Sequence, residues 1–192
     1  WTIFDRLMAE AGIRPRLRRI AADQPVFDTE TWDYQTPTGR SQLVAHYLAD
    51  KMDTPLTVRS TEPAHVYEVR EAKYLGHSDT WQDTFPEGRM KIYALLDYRV
   101  TGLQAEVAPG PHQPGGTVKV TCRVTAEGAE PDLHAFRLQL LAPDGAALSA
   151  YSTAVLAPGG HAEVGLPLAP NEPAGRHTLP VTDALSRATE KT

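Results

Sequence analysis

Carboxylates, imidazoles and phenols crowd into one stretch of the chain, EPAHVYEVREAKYLGHSD, residues 62–79. Hydrolysis of a glycosidic bond needs two carboxyl groups placed on opposite sides of that bond. Glu68, Glu71, Asp79 and Asp83 are available for the task. They alternate with basic residues along a ribbon, and nothing in the sequence desolvates one of them to raise its pKa. The pattern reads as the solvated face of a hairpin rather than as an acid–base pair. Histidines stand at positions 46, 65, 77, 112, 134, 161 and 177. None forms a helical His-x-x-x-His pair. His65 and His77 come near each other across the hairpin, but no cysteine or firm carboxylate partner accompanies them, so no structural metal site is expected. Asp79, Asp83 and Glu87 match no calcium-loop pattern. A Gly-x-Ser-x-Gly elbow, a phosphate-cradling glycine loop and a dinucleotide fingerprint are all absent. The expectation is a chain with no catalytic residue, no cofactor and no metal.

The elements around this stretch follow from periodicity. Ile3, Phe4, Leu7, Met8 and Ala11 recur at spacings of three and four, the stripe of an amphipathic helix. Gly12 stops that helix and Pro15 forbids its continuation. The apolar stripe has nothing of its own to pack on, so Ile3, Phe4, Leu7 and Met8 are expected to contact another domain. After Pro15 short runs rich in β-branched and aromatic residues take over: RLRRIAA, TETWDYQT, SQLVAHYLA, LTVRST, HVYEVR, KYLGH, TWQDTF and RMKIYALL, with TPTGR and PEG as turns. In the hairpin, His65, Tyr67 and Val69 face one way and Val66, Glu68 and Arg70 the other, with Arg70–Lys73 as its turn.

A second set of strands follows a loose segment rich in proline and glycine at 102–116. TVKVTCRVTAE, HAFRLQLLAP, ALSAYSTAVLA, HAEVGLPLA and GRHTLPVTDA are separated by PDG, PGG and NEPAG turns, the regular spacing of an immunoglobulin-like sandwich. Pro167 and Pro180 each interrupt a strand, which suits an edge position where no ladder donor is needed. The expected fold is therefore all-β. A helix at 1–12 precedes one antiparallel β-sandwich at 13–99 and an immunoglobulin-like sandwich at 100–192.

Composition narrows the function further. The chain has 192 residues, a formal net charge of −5, sixteen prolines and fourteen glycines. The acidic balance argues against general nucleic-acid binding, which needs a basic surface. The one basic cluster, RPRLRR, reads as the solvated side of a strand. No stretch is apolar enough to insert into a membrane. Cys122 is the single cysteine, and it alternates with Val118, Val120 and Val124 on what reads as a buried face. Sugar stacking needs exposed aromatic faces; Trp32, Tyr34 and Trp81 are the candidates, with most such rings in a small sandwich belonging to its core.

A family resemblance adds to this. Glu62–Arg70, then Lys73-Tyr74-Leu75-Gly76 and Met90–Leu96, resemble the C-terminal region of large bacterial glycoside hydrolases related to beta-galactosidases with a trimerisation domain. Leu7–Pro15 looks like the last helix of that trimerisation domain. Residues 100–187 resemble an appended immunoglobulin-like module, with Ala169–Gly175 as its familiar part. Glu68 stands where aspartate is commoner in the family, and Ala72 where glycine would ease a positive-φ turn. The catalytic carboxylates of such enzymes lie in a (β/α)₈ barrel, and no barrel fits in this chain. None of them maps to a residue here. The resemblance implies a non-catalytic accessory region whose partners are upstream catalytic domains of the same polypeptide, and by analogy an extracytoplasmic setting. The alternative is a carbohydrate-binding or cell-surface adhesion module.

Overall fold

Period-two alternation of apolar and polar side chains gives strands that each offer one face to a core, and such strands make up most of this chain. The computed structural model describes residues 2–12, 17–21, 24–25, 29–48, 55–85, 88–172 and 174–192; within these, the side chains of 2, 4, 5, 9, 17–21, 24–25, 29 and 48 lie outside the description. Among the described residues the fold is all-β with one short α-helix, α1 (Thr2–Glu10), which stops as expected at Gly12, where φ is +74°.

The first sheet has seven strands: β1 (Leu17–Ala21), β2 (Gln24–Pro25), β3 (Thr29–Gln35), β4 (Ser41–Leu48), β5 (Leu56–Glu68), β6 (Lys73–Asp83) and β7 (Met90–Leu96). Its order is β2-β1-β5-β7-β4-β3, with β6 pairing the other side of β5. The segments read as four short strands between 56 and 83 are two long ones. They bend together, because the register of β5 on β6 shifts between Arg59 and Ala64. Pro63, which has no ladder N–H to lose, lies in this break, and a bulge of that kind lets one strand serve two orientations. The first half of β5 accordingly pairs with β1 and its second half with β7. One core gathers side chains from both halves of this bent sheet, among them Val44, Leu56, Val58, Val66, Trp81, Tyr93 and Leu95.

The remaining strands form two smaller sheets. β8 (Arg99–Val107), β9 (Thr117–Glu127) and β12 (His161–Pro167) make one, in the order β12-β9-β8. β10 (His134–Leu141), β11 (Ala147–Ala157), β13 (Pro180–Asp183) and β14 (Thr189–Lys191) make the other, in the order β11-β10-β13-β14. Their inner faces share one core, in which Val120, Cys122, Phe136, Leu138 and Val181 are fully buried. Pro167 sits on an edge strand, as expected. Pro180 does not: β13 is interior, and proline is accommodated because it is the first residue of the strand, where only β14 pairs with it.

β7 is covered on both faces. Tyr93 and Leu95 point into the first core, while Ala94 and Leu96 join Tyr67 and Tyr98 in a second cluster. Val100, Ala126, Ala129 and Leu185, all from beyond the first sheet, pack on that cluster.

The hairpin of residues 62–79 closes through Val69–Ala72. Its backbone is held by the Glu68 carboxylate, which accepts the Glu71 N–H. Ala72 takes φ of +55°, a left-handed conformation that a Cβ disfavours by about 1 kcal/mol. Replacing Ala72 with glycine should therefore raise stability by about 1 kcal/mol, read as a higher urea midpoint at unchanged slope. An unchanged or lower midpoint would show that the turn carries no such strain.

Candidate functional site

Three groups of polar or aromatic side chains stand out, and each is positioned by strand alternation. The first lies in the bent sheet. Lys91 and Tyr93 lie two apart on β7 and so share its inward face. The Lys91 ammonium reaches Glu71 and, at 3.2 Å, Asp83 Oδ1, while the Tyr93 hydroxyl donates to Asp83 Oδ2 at 2.7 Å. Burial alone pushes Lys91 down, but its bonds to Glu71 and Asp83 and the nearby charge of Glu68 outweigh this and hold it above its ordinary value. Burial and the Asp83 carboxylate push Tyr93 up. Only 4% of the Lys91 side chain is exposed. The carboxylates that sequence offered as a glycosidase pair thus include two that grip one buried ammonium.

The second group crosses from the first sheet to the other two. Asp183 Oδ1 meets His134 Nδ1 at 2.8 Å, and His134 Nε2 meets the Tyr98 hydroxyl at 2.8 Å. Tyr98 also accepts the Asp132 N–H at 3.1 Å and lies 3.2 Å from Ser41 Oγ. Asp183 Oδ2 accepts from Ser186 N–H and Oγ–H at 2.8 and 2.6 Å. With His134 Nδ1–H donating to Asp183 and the Tyr98 hydroxyl donating to Nε2, every one of these bonds has a donor and an acceptor. Burial works against the Asp183 carboxylate, yet its bonds to His134 and Ser186 leave it below its ordinary value. Carboxylate, imidazole and hydroxyl stand in the order of a hydrolytic triad. All of Ser41, Tyr98, His134 and Asp183 are buried, however, so no substrate reaches the string. Nearby, Thr36 and Thr38 donate to Asp132 Oδ2 at 2.5 and 2.6 Å, and Arg40 bonds Asp97 at 3.0 Å and the Glu130 carbonyl. The Tyr67 hydroxyl accepts the Val100 N–H at 2.8 Å. These contacts join the first sheet to the strands that follow it.

The third group is exposed. Trp32 is 38% and Tyr34 63% accessible, and their spacing of two puts both on one face of β3. Trp81 does not join them. It is 6% accessible and packs edge to face on Tyr93 at 5.3 Å, because its strand partner Val58 lies on the inward face of the bent sheet. A ring in that position offers no face to a sugar. On α1, Ile3 is 77% and Leu7 57% accessible and Met8 is half-buried; the side chain of Phe4 lies outside the described residues.

The other chemistry is accounted for. Burial pushes the Cys122 thiol up to about 11, the behaviour of a core residue rather than a nucleophile. A cleft of about 510 Å³ opens at the edge of the smaller sheets, lined by Leu140, Leu166, Leu168 and Leu179. Its Glu172 accepts from Tyr151 at 2.6 Å and faces His177 at 3.4 Å. Glu87, weighed as a calcium ligand with Asp79 and Asp83, lies outside the described residues. Among the described residues no helix is long and apolar enough to cross a membrane.

Sequence reading missed Lys91, His134 and Asp183. The signal was present: Lys91-Tyr93-Leu95, His134-Phe136-Leu138 and Val181-Asp183 each share one face, which puts a charged or polar residue among buried neighbours. The molecule these observations define is an all-β, sandwich-like chain with a short N-terminal helix. No protein-family model matches it, and no curated protein does either.

Proposed function

We propose that this chain is a non-catalytic accessory region of a larger carbohydrate-active, glycoside hydrolase-like protein, serving domain packing or oligomerisation. One observation carries the reading. α1 presents Ile3 and Leu7 to solvent, on a body whose buried Lys91–Asp83 and His134–Asp183 pairs are committed to internal bonds. An apolar stripe left bare on a short helix is suited to cover by another domain. The carbohydrate-active parent is inferred from the resemblance of residues 62–76, 90–96 and 100–187.

A second reading has its own support in the shared exposed face of Trp32 and Tyr34, which suits stacking on a pyranose. One set of measurements separates them. Leu7→Asp should leave the melting of this chain within about 0.5 kcal/mol of the parent, as for a surface position. In its source cells the native protein should run far above 21.0 kDa, and titration with an oligosaccharide panel should show no binding. Strong destabilisation by Leu7→Asp would mean that the helix packs on this body. Sugar binding that disappears in Trp32→Ala would favour the second reading.

A further inference from the structure

The hairpin that opened the sequence analysis brings two imidazoles together in a way no buried bond consumes. His65 on β5 and His77 on β6 are direct register partners, so both project from the same face of the pair. Their ring centres are 4.5 Å apart. A divalent transition metal holds an imidazole nitrogen at about 2.1 Å, which places the ring centre about 3.2 Å from the metal. Two rings bound at the right angle of a tetragonal Cu(II) site then lie about 4.5 Å apart, against about 5.2 Å in a tetrahedral one. The rings in the hairpin, tilted 33° from each other, have the centre-to-centre spacing of the tetragonal arrangement. We propose that His65 and His77 form a binding site for a divalent transition-metal ion, with Tyr74 as the residue that orients His65.

The Tyr74 hydroxyl lies 2.8 Å from His65 Nδ1. When His65 binds metal through Nε2, Nδ1 carries the proton and donates it to the Tyr74 oxygen. Metal-binding histidines commonly have such a partner on their second nitrogen, where it fixes tautomer and ring angle. The Tyr74 ring also stacks on His65, with centres 6.0 Å apart. Arg99 lies 5.4 Å over the Tyr74 ring, but it pairs with Glu127 at 3.8 Å, so its charge is partly offset. Among the described residues no three histidine, cysteine, aspartate or glutamate side chains converge to hold an ion. The site therefore has two protein ligands, and water fills the other positions. Such an open imidazole pair should follow the general order of divalent ions, with Cu(II) held more tightly than Ni(II) or Zn(II).

The test is calorimetric titration of the full chain with Cu(II), Ni(II) and Zn(II) salts in a non-chelating buffer, beside His65→Asn, His77→Ala and Tyr74→Phe. The expected result is one equivalent of Cu(II), bound at least tenfold more weakly by either histidine variant. Tyr74→Phe should lose about tenfold, as expected when an outer partner is removed. Electron paramagnetic resonance of the Cu(II) form should show two imidazole nitrogens. His77 is exposed, so His77→Ala should melt like the parent and keep the comparison clean. Unchanged Cu(II) affinity in both histidine variants, a single-nitrogen signal, or no binding at all would overturn the proposal.

Discussion

Asp183→Ala should destabilise the protein by about 3–5 kcal/mol, the loss expected when a buried carboxylate that accepts three hydrogen bonds is removed. The change strips the buried His134 Nδ1–H and two part-buried Ser186 donors of their acceptor. His134→Ala should cost a similar amount, and the double variant less than the sum, because both singles break one string. Urea melts of the three proteins test this. Additive losses would show that the two residues act separately.

The same carboxylate sets the acid limit. In the folded protein Asp183 lies below its ordinary 3.8, so the unfolded chain binds its proton first as pH falls. The stabilisation is fully present above 3.8 and is lost as pH drops through the lowered folded value. Asp132 adds to this limb. Burial works against its charge, but its bonds from Thr36 and Thr38 keep it below its ordinary value too. Asp183→Ala should therefore show a shallower loss of stability in acid than the parent.

Lys91→Met should be comparably damaging at neutral pH, by about 3–5 kcal/mol. Methionine matches the length of the stem but leaves Asp83 and Glu71 without the cation that bridges them. Adding Asp83→Asn should recover part of the loss, since one of the two carboxylates left without the ammonium is then neutral. A double variant no better than Lys91→Met would place the cost in packing. The parent carries the opposite pH signature here. Lys91 is raised above its ordinary 10.5, so its contribution is complete below 10.5 and fades only as pH climbs through the higher folded value.

Much of the architecture was legible residue by residue. Val118, Val120, Cys122 and Val124 alternate with polar residues and are buried as that pattern demands. Gly12 marks the helix end, and the family resemblance points to positive φ at Ala72, where the backbone takes +55°. What alternation did not reveal was the bend. A period-two pattern says which side chains share a face, but not whether that face is later folded over another part of the same sheet. Trp81 on the hairpin therefore looked as available as Trp32 on β3, and only the break at 60–63 separates them. The buried ionic groups were missed for a related reason. Glu68 and Lys91 look solvated in a ribbon of mixed charge, and their burial comes from long-range pairing of β5 with β7. The approach of His65 and His77 was legible, because two histidines across a short hairpin need only its register to meet, whereas no metal was expected there.

The double covering of β7 has a consequence for synthesis. Its second face, carrying Ala94 and Leu96, gains part of its cover from Leu185, about ninety residues further along the chain. At ribosomal speeds that interval lasts roughly 4 to 18 s. During it the first sheet can close its own core while a greasy flank with Tyr67 at its centre waits for the rest of the polypeptide. Slowing elongation anywhere between residues 100 and 185 lengthens that wait. Slow codons in that stretch should then raise the share of nascent protein captured by chaperones or lost to aggregation.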